Sequence, residues 1–138
     1  MPNNLEQIRT AVTAWPGVTA SPHRFGGLEF NLDSTEIGHV HHNGMVDIPF
    51  NTKIRNQLIA EGKAEPHHLL HDTGWISFYI RSEQDIQAAI DLLKLSYLFY
   101  LSRGNKRAAH NVDIEGDVAR LGLSDGLQAV FDNLTLRR

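Results

Sequence analysis

Ile37-Gly38-His39-Val40-His41-His42 and Met45-Val46-Asp47-Ile48-Pro49 flank Asn43-Gly44, and this stretch decides the fold. Asn-Gly between two strand-like runs is the strongest short-range signal for a hairpin closed by a two-residue type I′ turn. Just upstream, Leu28, Phe30 and Leu32 alternate with Glu29 and Asn31, the period-2 pattern of a half-buried strand. Asp33-Ser34-Thr35-Glu36 reads as the loop between them, so the three runs are expected to form an antiparallel meander.

Working outward, Leu5, Ile8, Val12 and Trp15 recur at helical spacing and stop before Pro16-Gly17. Ser21 to Gly27 reads as a turn-rich passage. Downstream, Asn51 can cap a helix carrying Ile54, Leu58 and Ile59 and ending at Gly62. Trp75 to Ile80 is a further strand. Ser82 with Asp85 resembles a capping box opening a long helix with Ile86, Ile90, Leu93, Tyr97 and Leu101, closed by Gly104. Two short helices around Val118-Leu121 and Leu127-Leu134 close the chain. The expected order is α-β-β-β-α-β-α with a helical tail, an α+β fold in which helices pack an antiparallel sheet. Residues 1–104 are expected to form one domain. Residues 105–138 are expected to be a helical extension packed on it or on a partner.

A chain of 138 residues, 41% apolar and 21% charged, suits one globular core. A net charge of −3 gives no general attraction to nucleic acid. The absence of cysteine excludes disulfides, thiolate ligands and a cysteine nucleophile. Met1-Pro2-Asn3-Asn4 lacks the blocks of a signal peptide, and no apolar run reaches membrane-spanning length, so a soluble cytoplasmic protein is expected.

Six of the eight histidines fall in two clusters, His39-Val40-His41-His42 and His67-His68-Leu69-Leu70-His71. Imidazole titrates near neutral pH and is the commonest metal ligand. A two-residue turn would pair His41 with Val46 and His39 with Ile48. Parity through the first hairpin would set His39 and His41 on the face of Leu28, Phe30 and Leu32, with Asp47 on the other side beside His42. Two imidazoles on an apolar face need partners. The plain reading is a pair of hydrogen-bonded structural histidines. The functional reading is a pocket near which the turn before Trp75 brings His67 or His68. Three imidazoles, with His39, His41 and His68 the leading set, or two with a carboxylate, hold zinc or a similar divalent metal, and His23, Arg24 and Trp75 complete a ligand-binding set. A metal-free pocket that binds an anion or moves a proton is the variant of that reading.

Other motifs carry less. Gly122-Leu123-Ser124-Asp125-Gly126 spells a nucleophile elbow, but a helical pattern precedes it and no histidine follows His110, so Ser124 is read as a helix N-cap. Asp47 and Asp72 can orient a histidine or act as a base. Arg103, Lys106 and Arg107 read as a solvated helix end. Phosphate-loop, dinucleotide and H-E-x-x-H signatures are absent.

Taken together, Arg24-Phe25-Gly26-Gly27, Gly38-His39-Val40-His41, Asp47-Ile48-Pro49, His67-His68, Asp72-Thr73-Gly74-Trp75 and the run from Ile86 to Tyr97 resemble the small luciferase-domain family of bacterial and fungal proteins of unknown function. The resemblance spans roughly residues 16 to 100. It implies the α+β architecture and no light-emitting activity. The last strand and helix also resemble the closing half of YjbR-like proteins, a family suspected of nucleic-acid contact. The leading expectation is therefore a domain binding a small molecule or metal ion. An interaction module or homodimer and a YjbR-like nucleic-acid binder are the alternatives. No membrane partner is expected, and no reaction is assigned.

Overall fold

Alternating and capped segments set the elements of the computed structural model, which describes residues 3–22, 26–67, 69–70, 73–103 and 110–135. Helix α1 (Asn3–Thr13) leads into β1 (Val18–Pro22), β2 (Leu28–Leu32), β3 (Thr35–Val40) and β4 (Met45–Pro49). Then follow α2 (Thr52–Ala60), β5 (Glu65–Pro66), β6 (Trp75–Tyr79), α3 (Glu83–Leu101), α4 (Ile114–Leu121) and α5 (Asp125–Thr135). The strands form one antiparallel sheet in the order β1-β2-β3-β4-β6-β5. This is the expected α+β fold with two additions. Val18–Pro22, which runs into the turn-rich passage, pairs with β2 as the edge strand β1, and the short β5 pairs with β6. No helix among the described residues is long and apolar enough to cross a membrane.

Caps behave as their chemistry dictates. Asn51 Oδ1 accepts from Ile54 N at the start of α2, and Asp85 Oδ2 accepts from Ser82 N at the start of α3. Ser124 Oγ accepts from Leu127 N ahead of α5 and donates to Glu61 Oε2 beyond α2, which ties the two helices together. Gly104 lies outside the described residues.

Two irregularities correct the expected register. The first is a bulge in β3. Phe30 opposes Gly38, but Asn31 opposes Glu36, so Ile37 is an extra residue. Its carbonyl accepts from Ser96 Oγ of α3, a buried bond that fastens the bulge to the helix. The second is the central hairpin. Asn43 does not take the positive φ that a type I′ turn demands, whereas Gly44 does, at 92°. Gly44 N donates to His41 O and His41 N to Met45 O, which closes a three-residue loop, His42-Asn43-Gly44. Asn43 Oδ1 accepts from Met45 N, a local bond that favours this loop over the shorter one. His39 therefore opposes Asp47 and Val40 opposes Val46, one residue away from the expected pairing. A one-residue slip exchanges the two faces of a strand.

The apolar face consequently carries Phe30, Gly38, Val40, Val46, Ile48 and Ile76, all buried beneath the helices with Ile54, Leu58, Leu93 and Tyr97. Helix α3 crosses so near β3 that a Cβ on Gly38 would meet Leu93 Cδ2 at 2.5 Å. Helices α4 and α5 join the same core through Ile114, Val118, Leu127 and Phe131. Phe131 is 2% exposed, so Phe131→Ala should lower unfolding free energy by about 3–5 kcal/mol. Urea denaturation checks this, and an unchanged midpoint would show that α5 contributes nothing to the core.

Candidate functional site

The face of the sheet turned away from the helices holds a continuous polar row. Glu29 opposes His39, His39 opposes Asp47, Asp47 opposes Ser77 and Ser77 opposes Glu65, across five strands. Directly opposed residues are the closest side-chain neighbours in an antiparallel sheet. Asp47 sits in the middle of the row, only 1% exposed, and an unpaired carboxylate there would cost several kcal/mol.

It is paired on every side. Ser77 Oγ donates to Asp47 Oδ1 at 2.7 Å. Around Oδ2 stand three imidazole nitrogens: His41 Nε2 at 2.9 Å, His39 Nε2 at 3.2 Å and His67 Nε2 at 3.5 Å. The other ring nitrogen of His39 bonds Glu36 Oε2 at 2.5 Å. The β3 bulge makes that contact, because it returns Glu36 to the face of His39 despite their odd spacing. Trp75 walls the group, with its ring centroid 5.7 Å from that of His39 and 5.8 Å from that of His67.

These contacts set protonation. Carboxylates only accept, so each nitrogen of His39 that faces one carries a proton. Burial disfavours a charged His39, but hydrogen bonds to Asp47 and Glu36 outweigh it and raise its pKa from 6.5 to about 9. Burial likewise opposes ionisation of Asp47, and hydrogen bonds from His39, Ser77 and His41 overcome it, holding its pKa well below the usual carboxylate range. His67 differs from both. Its Nδ1 accepts from Leu69 N and Leu70 N, at 3.1 and 3.0 Å. That leaves Nε2 as the protonated nitrogen of a neutral ring.

His39, His41 and Asp47 form a group that could hold a metal ion, their ligand atoms lying within 4.8 Å of one another. The separations of Asp47 Oδ2 from the two Nε2 atoms match the edge of a zinc tetrahedron, about 3.3 Å for bonds of about 2.0 Å. Glu36 behind His39 supplies the carboxylate that orients a ligating imidazole.

Residues 34–96 match the Luciferase domain family model. The matched segment holds Glu36, His39, His41, Asp47, His67, Trp75 and Ser77, so the whole cluster lies inside it. Helices α4 and α5 fall outside it. The YjbR-like likeness gains no support from the match. Neither curated proteins nor solved structures yielded a significant match.

Of the residues singled out from the sequence, the structure brings together His39, His41 and Trp75. They lie on the sheet face opposite Phe30 rather than beside it, and Asp47 stands with them instead of across the sheet. His23, Arg24, His68 and Asp72 lie outside the described residues. His42 is exposed, and His110 pairs with Asp33 well away from the cluster. Glu36 and Ser77 were missed. The i, i+3 spacing of Glu36 and His39 implies contact in a strand only when a bulge intervenes, and bulges leave no reliable mark in sequence.

The raised pKa of His39 fixes a pH dependence. A group whose pKa is higher folded than unfolded contributes stability that is fully present below the unfolded value and lost as pH rises through the folded one. In metal-free protein the stability gap between wild type and His39→Gln should hold up to about pH 6.5 and shrink as pH approaches 9. Urea midpoints of both proteins from pH 6 to 10 test this, and a constant gap contradicts it.

Proposed function

We propose that this protein binds a divalent transition metal of the zinc type through His39 Nε2, His41 Nε2 and Asp47. The observation that carries the reading is the convergence of both Nε2 atoms on Asp47 Oδ2 at near-tetrahedral edge distances, with Glu36 bonded behind His39. The donors are borderline nitrogen and oxygen atoms, which suit zinc and its neighbours better than calcium or magnesium. The described residues supply three protein ligands, the pattern of sites that keep a position open for a small ligand. His68, expected from the sequence as a ligand, lies outside the described residues, and Asp47 is the third donor among those described.

Metal must displace protons from this site. His39 gives up the proton on Nε2 while its Nδ1–H stays bonded to Glu36, so metal binding releases protons at neutral pH. Calorimetric titration of chelator-stripped protein with zinc should give a one-to-one complex with Kd of about 1 μM or tighter. The heat should vary with the ionisation enthalpy of the buffer, as proton release requires. His39→Ala, His41→Ala and Asp47→Ala should each weaken binding by roughly 100-fold or more, and Glu36→Gln by about 10–100-fold. Binding no tighter than about millimolar, or equal binding by all four variants, would leave the cluster as a structural hydrogen-bond network.

A further inference from the structure

Among the described residues, the histidine nearest to this site without a place among its ligands is His67. It is 7% exposed and its Nε2 lies 3.5 Å from Asp47 Oδ2, at the limit of a hydrogen bond. The first impression is of a third histidine ligand. Its other nitrogen argues against that. A neutral imidazole ligates through a lone pair, and the nitrogen that ligates cannot hold the proton. His39 can free Nε2 by losing a proton while its Nδ1–H stays bonded to Glu36. His67 cannot do the same, because Nδ1 already accepts two backbone N–H groups, from Leu69 and Leu70. A proton on Nδ1 would face both of those donors and break both of those part-buried bonds. The loop backbone thus locks His67 as a neutral Nε2–H donor, and Trp75 packs against its ring and holds its plane.

We propose that His67 serves as a fixed N–H donor to a small oxyanion, such as a carboxylate, bound at the open position of the metal held by His39, His41 and Asp47. This rests on the metal reading above and adds the class of ligand to it. A donor so near one ligand oxygen, yet barred from binding the ion, faces the ion's coordination sphere. Charge agrees in part, since a divalent ion offsets Asp47 and Glu36, the two carboxylates bonded within the cluster. A donor fixed before the ligand arrives costs no reorganisation when an anionic oxygen binds.

Side-chain geometry supplies matched variants. His67→Asn keeps an acceptor where Nδ1 stands, so the loop stays anchored, and removes the far donor. His67→Gln places an amide N–H near the position of Nε2 and restores the donor. The test uses the full chain loaded with cobalt(II), whose visible absorption reports coordination, titrated with sodium acetate. His67→Asn should bind cobalt within about threefold of wild type and acetate roughly 10-fold or more weakly, and His67→Gln should recover part of the acetate affinity. In metal-free protein, nitrogen NMR of the His67 ring should show a protonated Nε2 and an unprotonated Nδ1.

Equal acetate affinity in wild type and His67→Asn overturns the proposal while leaving the metal centre intact. So does a loss of cobalt affinity in His67→Asn as large as in His39→Ala, which would make His67 a ligand. An Nδ1–H tautomer overturns it before any metal is added. Failure of cobalt to bind wild type at all overturns both this proposal and the metal reading, and is distinguished by the absence of any visible spectrum.

Discussion

A carboxylate buried in the middle of a sheet is the constraint on which this structure turns. Asp47 is charged and almost wholly shielded from water. An ion in such a place is tolerated only if every oxygen has a partner, because the desolvation penalty of an unpaired charge rivals the net stability of a domain. β4 therefore lies between two strands that bring donors, Ser77 from β6 and His39 from β3, with His41 reaching in from the hairpin. The positive partner is in turn secured by Glu36. Slipping either neighbouring strand by one residue would turn those donors to the apolar face and strand the charge, so the network also pins the register.

Two small departures from regular β-structure make that arrangement reachable. The extra residue Ile37 reverses the parity of β3 part-way along, which sets Glu36 and His39 on one face. The third residue of the central loop reverses the parity of β4 relative to β3, which sets Asp47 on that same face. A side chain partners a backbone group at each, Ser96 donating to the carbonyl of Ile37 and Asn43 accepting from the amide of Met45. Bulges are over-represented beside functional sites because they re-aim side chains without moving the strand. Here α3 holds the bulge from the apolar side, so the core supports the polar cluster directly. The family match covers this unit, β3 to most of α3, and leaves α4 and α5 as additions that bury apolar surface at its far side.

Much of the architecture was legible before any coordinates. Local chemistry defines its own elements: Asn51, Ser82 with Asp85, and Ser124 cap helices whoever their neighbours are, and alternation in Leu28 to Leu32 marks a strand. The histidine clusters and Trp75 stood out by composition and spacing alone, as did the antiparallel hairpin around Asn43-Gly44. These features depend on interactions within a few residues, which sequence displays. β1 and β5 were not legible, because Val18–Pro22 and Glu65–Pro66 are strands only by virtue of the edges they pair with.

What tertiary structure alone decided was which side of the sheet each histidine faces and which residues surround it. Asn-Gly is compatible with a two- or a three-residue loop, and the choice between them is worth only a hydrogen bond or two. Yet it moves Asp47 from one face to the other, since side chains alternate with a period of two. The parity of β3 depended on a bulge stabilised by Ser96, 59 positions away in sequence. The tautomer of His67 depended on how its loop folds back on its own ring. Sequence thus supplied the residue types of the site. Their convergence came from long-range pairing, because a one-residue choice at a turn is small in local free energy and decisive in space.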